Sequence, residues 1–258
     1  TAVASSTSIF STQGRGFAWN SGIGNTYIQQ PTLALGNGTN SISYSPDGIS
    51  WSGLGKAIFT TQANNAAWNG SIWVAVGQGT NTIAYSYDGI NWTGIGSSIF
   101  TTSGNAVSWN GTRWVALGFG TNSTAYSTNG ITWTAGTNIF ASGGNGVAWN
   151  GSLWVAVGAD GTNTIATSAD GITWTGRGKT AFSTQGLGIV WYGAGSRWVA
   201  VGSGTNSTAY SSNGITWTAG TNIFASGGND VSWNGSLLVA VGIDGTNTIA
   251  TSTYGINW

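Results

Sequence analysis

The chain has 258 residues, among them 44 Gly and 16 Trp, and carries six basic and six acidic residues but no His, Cys or Met. All six acidic residues are Asp. Because the chain has no His and no Cys, thiol nucleophiles, Ser-His-Asp triads and most metal sites are excluded. Neither a cofactor nor a metal is therefore expected. Six scattered cations cannot build a phosphate-binding patch, and no apolar run approaches the roughly 20 residues of a membrane span, so we expect no nucleic-acid binding and no membrane insertion.

Six copies of one heptad divide the chain. They read SPDGISW, SYDGINW, STNGITW, SADGITW, SSNGITW and STYGINW, and they end at Trp51, Trp92, Trp133, Trp174, Trp217 and Trp258. Successive heptad Trp residues are 41 positions apart, except for one interval of 43. Such a period indicates a solenoid, a propeller or an array. We number the repeats one to six, over residues 11–51, 60–92, 101–133, 141–174, 183–217 and 225–258.

The N-terminal segment, Thr1–Phe10, ends in an Ile-Phe pair. The same pair ends at Phe140, seven residues after Trp133. Thr1–Phe10 therefore has the sequence that should follow the heptad of repeat six. We expect this segment to complete the last repeat and close a ring, which removes the open sheet edges that an array exposes.

Repeat one contains an insertion, Ser21–Pro31, where the other repeats have a short turn. A loop that breaks the symmetry of a repeat protein is a candidate partner contact.

Repeat three illustrates the four strands that each repeat predicts. Asn105–Trp109 alternates large and small residues and meets an Asn-Gly hairpin signal, and Arg113–Gly118 is a second apolar strand. Thr124–Ser127 is a third strand, and Ile131–Thr134 follows another Asn-Gly turn as the fourth. No segment has helical periodicity. We predict an all-β single domain over residues 1–258, a six-bladed β-propeller with four antiparallel strands per blade, with an open solenoid as the alternative.

The heptad pattern Ser-x-Asp-Gly-x-Thr-Trp resembles the Asp-box repeat of sialidase-type β-propellers, over all six repeats. It is one residue shorter between the Asp and the Thr-Trp than the usual pattern. The acid position is occupied by Asp47, Asp88, Asn129, Asp170, Asn213 and Tyr254. The resemblance implies a propeller fold in which the acid is a structural turn residue, distant from any active site. It does not imply sialidase activity, which requires a Glu that this chain lacks. The repeat is also similar to propeller repeats of bacterial, phage and large-virus surface proteins.

An internal duplication supports a structural role for the heptad. Residues 120–174 and 204–258 align without a gap, with 47 of 55 positions identical. Among the differences, Asp170 becomes Tyr254 and Trp154 becomes Leu238. A catalytic acid would not be kept in some copies and lost in another, whereas Asp and Asn both suit a tight turn. We therefore predict that the heptad is scaffold and that the chain is not an enzyme.

The candidate ligand-binding residues recur with the repeat. The loop between the second and third strands ends in Thr-Asn, on the face opposite the tight turns, at Asn40, Asn81, Asn122, Asn163, Asn206 and Asn247. The second strand opens with an indole that could stack on a sugar, at Trp73, Trp114, Trp154 and Trp198.

Amides, hydroxyls and indoles repeated on one body predict a multivalent lectin-like module for glycans, extracellular or on a virion surface. The alternative is that each Asn caps its own turn and each Trp fills the core. The chain would then be a structural or adhesin propeller that serves as a rigid spacer or assembly unit without a small ligand.

Overall fold

The computed structural model describes residues 9–18, 30–159, 161–243 and 247–258. Over these residues the fold is all-β, with 23 strands and one 3-10 turn at Gly193–Gly195. No helix in this part of the chain is long and apolar enough to cross a membrane.

The strands follow the repeat. Repeat one contains β1 (Gln13–Ala18), β2 (Thr32–Asn37), β3 (Ile42–Ser45) and β4 (Ser52–Gly53). Repeat two contains β5 (Gln62–Trp68), β6 (Trp73–Gln78), β7 (Ile83–Ser86) and β8 (Thr93–Gly94). Repeat three contains β9 (Ser103–Trp109), β10 (Trp114–Phe119), β11 (Thr124–Ser127) and β12 (Thr134–Ala135). Repeat four contains β13 (Gly144–Trp149), β14 (Trp154–Gly158), β15 (Ile165–Ser168) and β16 (Thr175–Gly176). Repeat five contains β17 (Gln185–Tyr192), β18 (Arg197–Ser203), β19 (Thr208–Ser211) and β20 (Thr218–Ala219). Repeat six contains β21 (Gly227–Trp233), β22 (Leu238–Ile243) and β23 (Ile249–Ser252).

The chain forms two compact units. The first contains repeats one and two with most of repeat three, and the second contains repeats four to six with the rest of repeat three. The described residues up to Thr121, with Ser127–Thr134, make up the first unit, and Asn122–Tyr126 with Ala135–Trp258 make up the second. The boundary between the units therefore runs through repeat three.

The sheets are antiparallel, and repeats four to six pair their strands in chain order. Repeats four and five are four-stranded sheets in the orders β13-β14-β15-β16 and β17-β18-β19-β20, and repeat six contributes β21-β22-β23 among the described residues. In the first unit, the single residue pair Asn37 and Gln62 joins repeats one and two, and Gln78 and Ser103 join repeats two and three. The predicted all-β architecture of antiparallel four-strand units is confirmed.

Each first strand carries a β-bulge, and in repeats two and four the bulged Asn bonds to the next repeat. In β5 the register shifts between Ala63 and Asn65, which leaves Asn64 without a partner in β6. The Asn64 side-chain amide instead donates to the Gly104 carbonyl of β9, at 2.8 Å. In the second unit Asn145 donates in the same way to the Gly186 carbonyl.

The predicted position of the fourth strand is wrong. The sequence placed it at Ile131–Thr134, inside the heptad, whereas the strand is Thr134–Ala135 and begins after the heptad Trp. The reason is local, because the Asn129 side chain accepts the N–H groups of Ile131 and Thr132 and so keeps them in a turn. The heptad is therefore the third hairpin turn of its repeat.

The core lies between successive repeats. The second strands are the most buried elements, as in Trp73, Val74, Ala75 and Val76 of β6, which are all 0% exposed. A first-strand glycine of the following repeat approaches this surface, since a Cβ on Gly104 would lie 2.7 Å from the Val76 Cβ. The second strand of repeat two is therefore covered by the first strand of repeat three.

Two sequence predictions fall outside the described residues. They are the closure by the N-terminal segment, of which only Ile9 and Phe10 are described, and the insertion Ser21–Pro31, of which only Gln30 and Pro31 are described.

Candidate functional site: the repeated turns, loops and indoles

The heptad acid binds its own turn. In repeat one the Ser45 hydroxyl donates to Asp47 Oδ1 at 2.9 Å and accepts the Gly48 N–H at 2.8 Å. Asp47 Oδ1 also accepts the N–H groups of Ile49 and Ser50, at 2.8 and 2.7 Å. The two backbone N–H bonds recur in the turns of repeats two to five, whether the acceptor is Asp or Asn.

These N–H groups favour a negatively charged oxygen. The hydrogen bonds from Ser50 and Ile49, followed by the Ser45 hydroxyl, lower the pKa of Asp47 to about 2. An Asp held ionised by its own backbone cannot serve as a general acid near neutral pH. The predicted structural role of the heptad acid is confirmed.

The Asn side chains of two Thr-Asn loops bond to the backbone on both sides of their repeat, in the segment before its first strand and in the link after its fourth strand. Asn81 Oδ1 accepts the Gly96 N–H at 2.8 Å, and its Nδ2 donates to the Ile58 carbonyl at 2.8 Å. Asn40 makes the same two bonds, with the Gly55 N–H and the Ile9 carbonyl. Both polar atoms of these side chains are thus committed to the backbone.

The remaining loop asparagines vary in their contacts. Asn163 Oδ1 accepts the Gly178 N–H at 3.0 Å, and Asn206 Nδ2 donates to the Ala181 carbonyl at 2.7 Å. Asn122 is half-buried, whereas Asn247 is exposed. The structure places all six at equivalent loop positions, and their predicted contact with a ligand stays a prediction.

The second-strand indoles are interior groups. Trp73, Trp114, Trp154 and Trp198 are each 0% exposed. Such an indole can stack on a sugar only if the surrounding repeat opens. Their predicted role in ligand binding therefore stays a prediction, whereas their role in the core is evident.

A second set of indoles is half-buried directly opposite the first, at the turn end of the first hairpin. Trp68, Trp109, Trp149 and Trp191 end their first strands, and each packs tilted against the second-strand Trp of its own repeat, with ring centroids 5.0–5.3 Å apart. Trp233 of repeat six is also half-buried. The candidate list drawn from the sequence missed these residues. The available signal was invariance, because the first-strand Trp occurs in all six repeats, whereas Thr32 and Leu238 replace the second-strand one.

An amide group accompanies several of these indoles. Asn69 follows Trp68 directly, and its Oδ1 accepts the N–H groups of Ser71 and Ile72 at 2.9 and 2.8 Å. Its Nδ2 has no acceptor among the described residues. The same Asn-Gly turn follows the indole in repeats three, four and six, at Asn110, Asn150 and Asn234. We call these pairs, each an indole with the next residue's amide, the indole–amide pairs.

Comparison with known proteins shows the fold alone. No family model matches the sequence, and no curated protein matches it. The computationally designed Ika8 protein is similar in structure, with a TM-score of 0.63 and 13% identity over 94% of this chain and 71% of that one. A GH74 enzyme of Niastella koreensis has a TM-score of 0.61 at 19% identity, over 87% of this chain. A chain of a nidogen/laminin complex has a TM-score of 0.59 at 11% identity, over 82% of this chain and 81% of that one.

This chain spans about a third of the length of the GH74 enzyme, since the match covers 34% of that protein. These likenesses fit a β-propeller. The resemblance of the heptad to the Asp-box repeat stays a prediction.

Proposed function

We propose that this chain is a non-enzymatic β-propeller of six blades that binds carbohydrate at several equivalent positions. The observation that carries the proposal is the indole–amide pair, in which a half-buried indole is followed in sequence by an Asn whose Nδ2 has no acceptor among the described residues, in repeats two, three, four and six. Aromatic rings contact the apolar faces of sugars, and an amide N–H₂ can donate to sugar hydroxyls. Several weak sites on one body gain affinity when the ligands are also clustered.

The ligands that this proposal requires are glycans displayed on a surface. An extracellular or virion-surface setting follows from it, because clustered glycans occur there. Soluble monosaccharides should bind weakly, and retention should rise steeply with the density of immobilised ligand.

A second function, that of a rigid spacer or assembly unit, is favoured by a different observation. In Asn40 and Asn81 both polar side-chain atoms bond to the backbone, and the second-strand indoles are fully buried. Most of the repeated polar and aromatic groups are thus explained without any ligand.

The test is a glycan array followed by a matched pair of variants. The chain should be produced without glycosylation, because Asn69, Asn110, Asn150 and Asn234 begin Asn-Gly-Ser/Thr sequons. We expect Trp149→Leu to reduce retention on the best glycan several-fold. Trp154→Leu, the same change in the fully buried partner against which Trp149 packs, should reduce retention less than Trp149→Leu, because repeat six already carries Leu238 at that position.

Both variants must show a cooperative thermal transition for this comparison to count. Nitrogen-15 labelling of the indoles gives a second readout, in which a soluble form of the glycan shifts the N–H resonances of the first-strand Trp set and not those of the second-strand set. An array without glycan-dependent retention would contradict carbohydrate binding and leave the spacer function.

A further inference from the structure

The turn of repeat six lacks the acceptor that the other five turns contain. Tyr254 stands where the others have Asp or Asn, and it cannot accept the following N–H groups through a short side-chain oxygen. The Ser252 hydroxyl, which in the other turns donates to that side chain, donates instead to the Asn257 carbonyl at 2.6 Å. The N–H groups of Ile256 and Asn257 have no acceptor among the described residues.

The backbone of this turn nevertheless keeps its shape. The N–H groups of Tyr254 and Gly255 still donate to the Ser252 hydroxyl, at 3.3 and 2.8 Å. Gly255 has a φ of +72°, close to the +74° of Gly48 in repeat one. The two N–H groups that hold a carboxylate oxygen in repeat one are therefore present in repeat six without that oxygen.

A cavity with a cation lies at this turn. Its volume is about 390 Å³, and it is lined by Arg197, Ser252, Thr253, Tyr254, Ile256 and Asn257. The half-buried Arg197 guanidinium donates through Nη1 to the Tyr254 carbonyl at 2.9 Å and lies 5.4 Å from the centre of the Tyr210 ring. No carboxylate pairs with Arg197 in the part of the chain that the structure describes.

These groups together suit an anion with two oxygens. A guanidinium has five N–H donors in a planar fork. The bond from Arg197 Nη1 to the Tyr254 carbonyl uses one of them, so the other donors can bind a ligand. Charge-assisted hydrogen bonds from such a group and from backbone N–H groups are roughly twice as strong as neutral ones. In repeat one the equivalent two N–H groups, together with the Ser45 hydroxyl, lower the pKa of Asp47 to about 2.

We propose that the turn of repeat six binds a small exogenous carboxylate in the place of the missing side chain. One carboxylate oxygen accepts the N–H groups of Ile256 and Asn257, and the other accepts from the Arg197 guanidinium. The site takes a monovalent carboxylate of a size that fits the cavity. It goes beyond the proposed carbohydrate binding and does not depend on it, because it uses none of the indole–amide pairs.

The test is a titration of the nitrogen-15-labelled chain with sodium acetate near neutral pH, against sodium chloride at matched ionic strength. We expect saturable shifts of the Ile256 and Asn257 amide resonances with acetate and not with chloride. Sodium glucuronate forms a parallel arm. Tighter binding of glucuronate than of acetate assigns the site to acidic sugars, and equal binding assigns it to the carboxylate group alone.

Three variants separate the contributions. Tyr254→Asp restores the internal acceptor and should abolish the acetate-dependent shifts. Arg197→Gln keeps the N–H groups but removes the charge, and should weaken acetate binding about tenfold, the scale of one charged hydrogen bond. Asp88→Ala is the matched control in repeat two, because it frees the Ile90 and Asn91 N–H groups next to Gln30 instead of an arginine. It should bind acetate at least tenfold more weakly than the turn of repeat six.

The proposal is overturned by either of two results. One is the absence of saturable acetate-dependent shifts at Ile256 and Asn257 in a folded chain. The other is persistence of those shifts in Tyr254→Asp, whose own carboxylate would occupy the site. Neither result bears on glycan retention, so the failure of this site and the failure of carbohydrate binding are distinguishable.

Discussion

At the scale of single residues, the heptad glycine is constrained in two ways at once. Gly214 has a φ of +74°, in the left-handed region that a residue with a Cβ adopts at a cost. A Cβ at this position would also lie 2.9 Å from side-chain atoms of Leu153 and Val155 in the preceding repeat. The turn thus needs glycine both for its own conformation and for its packing.

The chain contains a control that separates these two requirements. Gly178 has the same φ of +74°, but a Cβ there would meet nothing within 4 Å. We expect Gly178→Ala to lower the free energy of unfolding by about 1–2 kcal/mol, the cost of the left-handed conformation. Gly214→Ala should lower it by about 1–3 kcal/mol more, because the added methyl group overpacks the core. Urea unfolding of both variants measures the difference, and equal losses would contradict the packing argument.

At the scale of elements, the loop before the third strand and the link after the fourth strand are joined by one of two Asn side chains. The Asn belongs either to the Thr-Asn loop or to the link. In repeat two, β8 ends in Gly94, and a Cβ there would collide with the Asn81 amide. In repeat five, β20 ends in Ala219, and the Ser207 N–H donates to Asn222 of the link instead. Repeat three has the same arrangement as repeat five, because β12 ends in Ala135 and the acceptor of the Ser123 N–H is Asn138. A fourth strand that ends in Gly is therefore accompanied by the Asn of the Thr-Asn loop, and one that ends in Ala is accompanied by an Asn of the following link.

The bonds of the loop Asn predict that Asn→Ala lowers the free energy of unfolding by different amounts in different repeats. Asn81→Ala removes the partner of the Gly96 N–H and of the Ile58 carbonyl, and should lower the free energy of unfolding by about 1–3 kcal/mol. Asn247→Ala affects an exposed side chain and should change it by less than about 0.5 kcal/mol. Thermal and urea unfolding of the two variants provide the comparison. A loss in Asn81→Ala no larger than in Asn247→Ala would rule out the bracing role.

At the scale of the whole molecule, stability depends on the contacts between neighbouring repeats. A Cβ on Gly228 of β21 would lie 2.6 Å from the Val201 Cβ of β18, and Val201 is 0% exposed. Val241 occupies the same position in β22 of repeat six and is 38% exposed. The strand of the next repeat thus adds to the burial that a valine at this position has in its own repeat, as in other repeat proteins.

This dependence predicts that equivalent valines differ in their contribution. Val201→Ala should lower the free energy of unfolding by about 2 kcal/mol, since the methyl groups leave a cavity between two repeats. Val241→Ala loses the same groups from a partly hydrated surface and should cost less than about 1 kcal/mol. The change in strand propensity is the same in both variants and cancels. Equal costs in urea unfolding would show that the covering strand does not contribute.

Features that depend on short stretches of chain could be predicted from the residues alone. The heptads and Asn-Gly signals predicted four strands per repeat and no helices, because turn residues and alternation act over a few residues. The structural role of Asp47 and its counterparts was also readable, since a turn accepts Asp or Asn where catalysis does not. The position of the fourth strand was missed, because the bonds from Asn129 to Ile131 and Thr132 extend the turn through the heptad.

Features that depend on groups distant along the chain could not be predicted in this way and became visible in the fold. Trp149 and Trp154 look alike in sequence, but only packing between repeats leaves the first half-buried and the second fully buried. Arg197 and Tyr254 are 57 residues apart, and their contact makes a cavity that neither residue predicts. Local patterns specify local hydrogen bonds, whereas burial and the pairing of distant charges require the position of the neighbouring repeat.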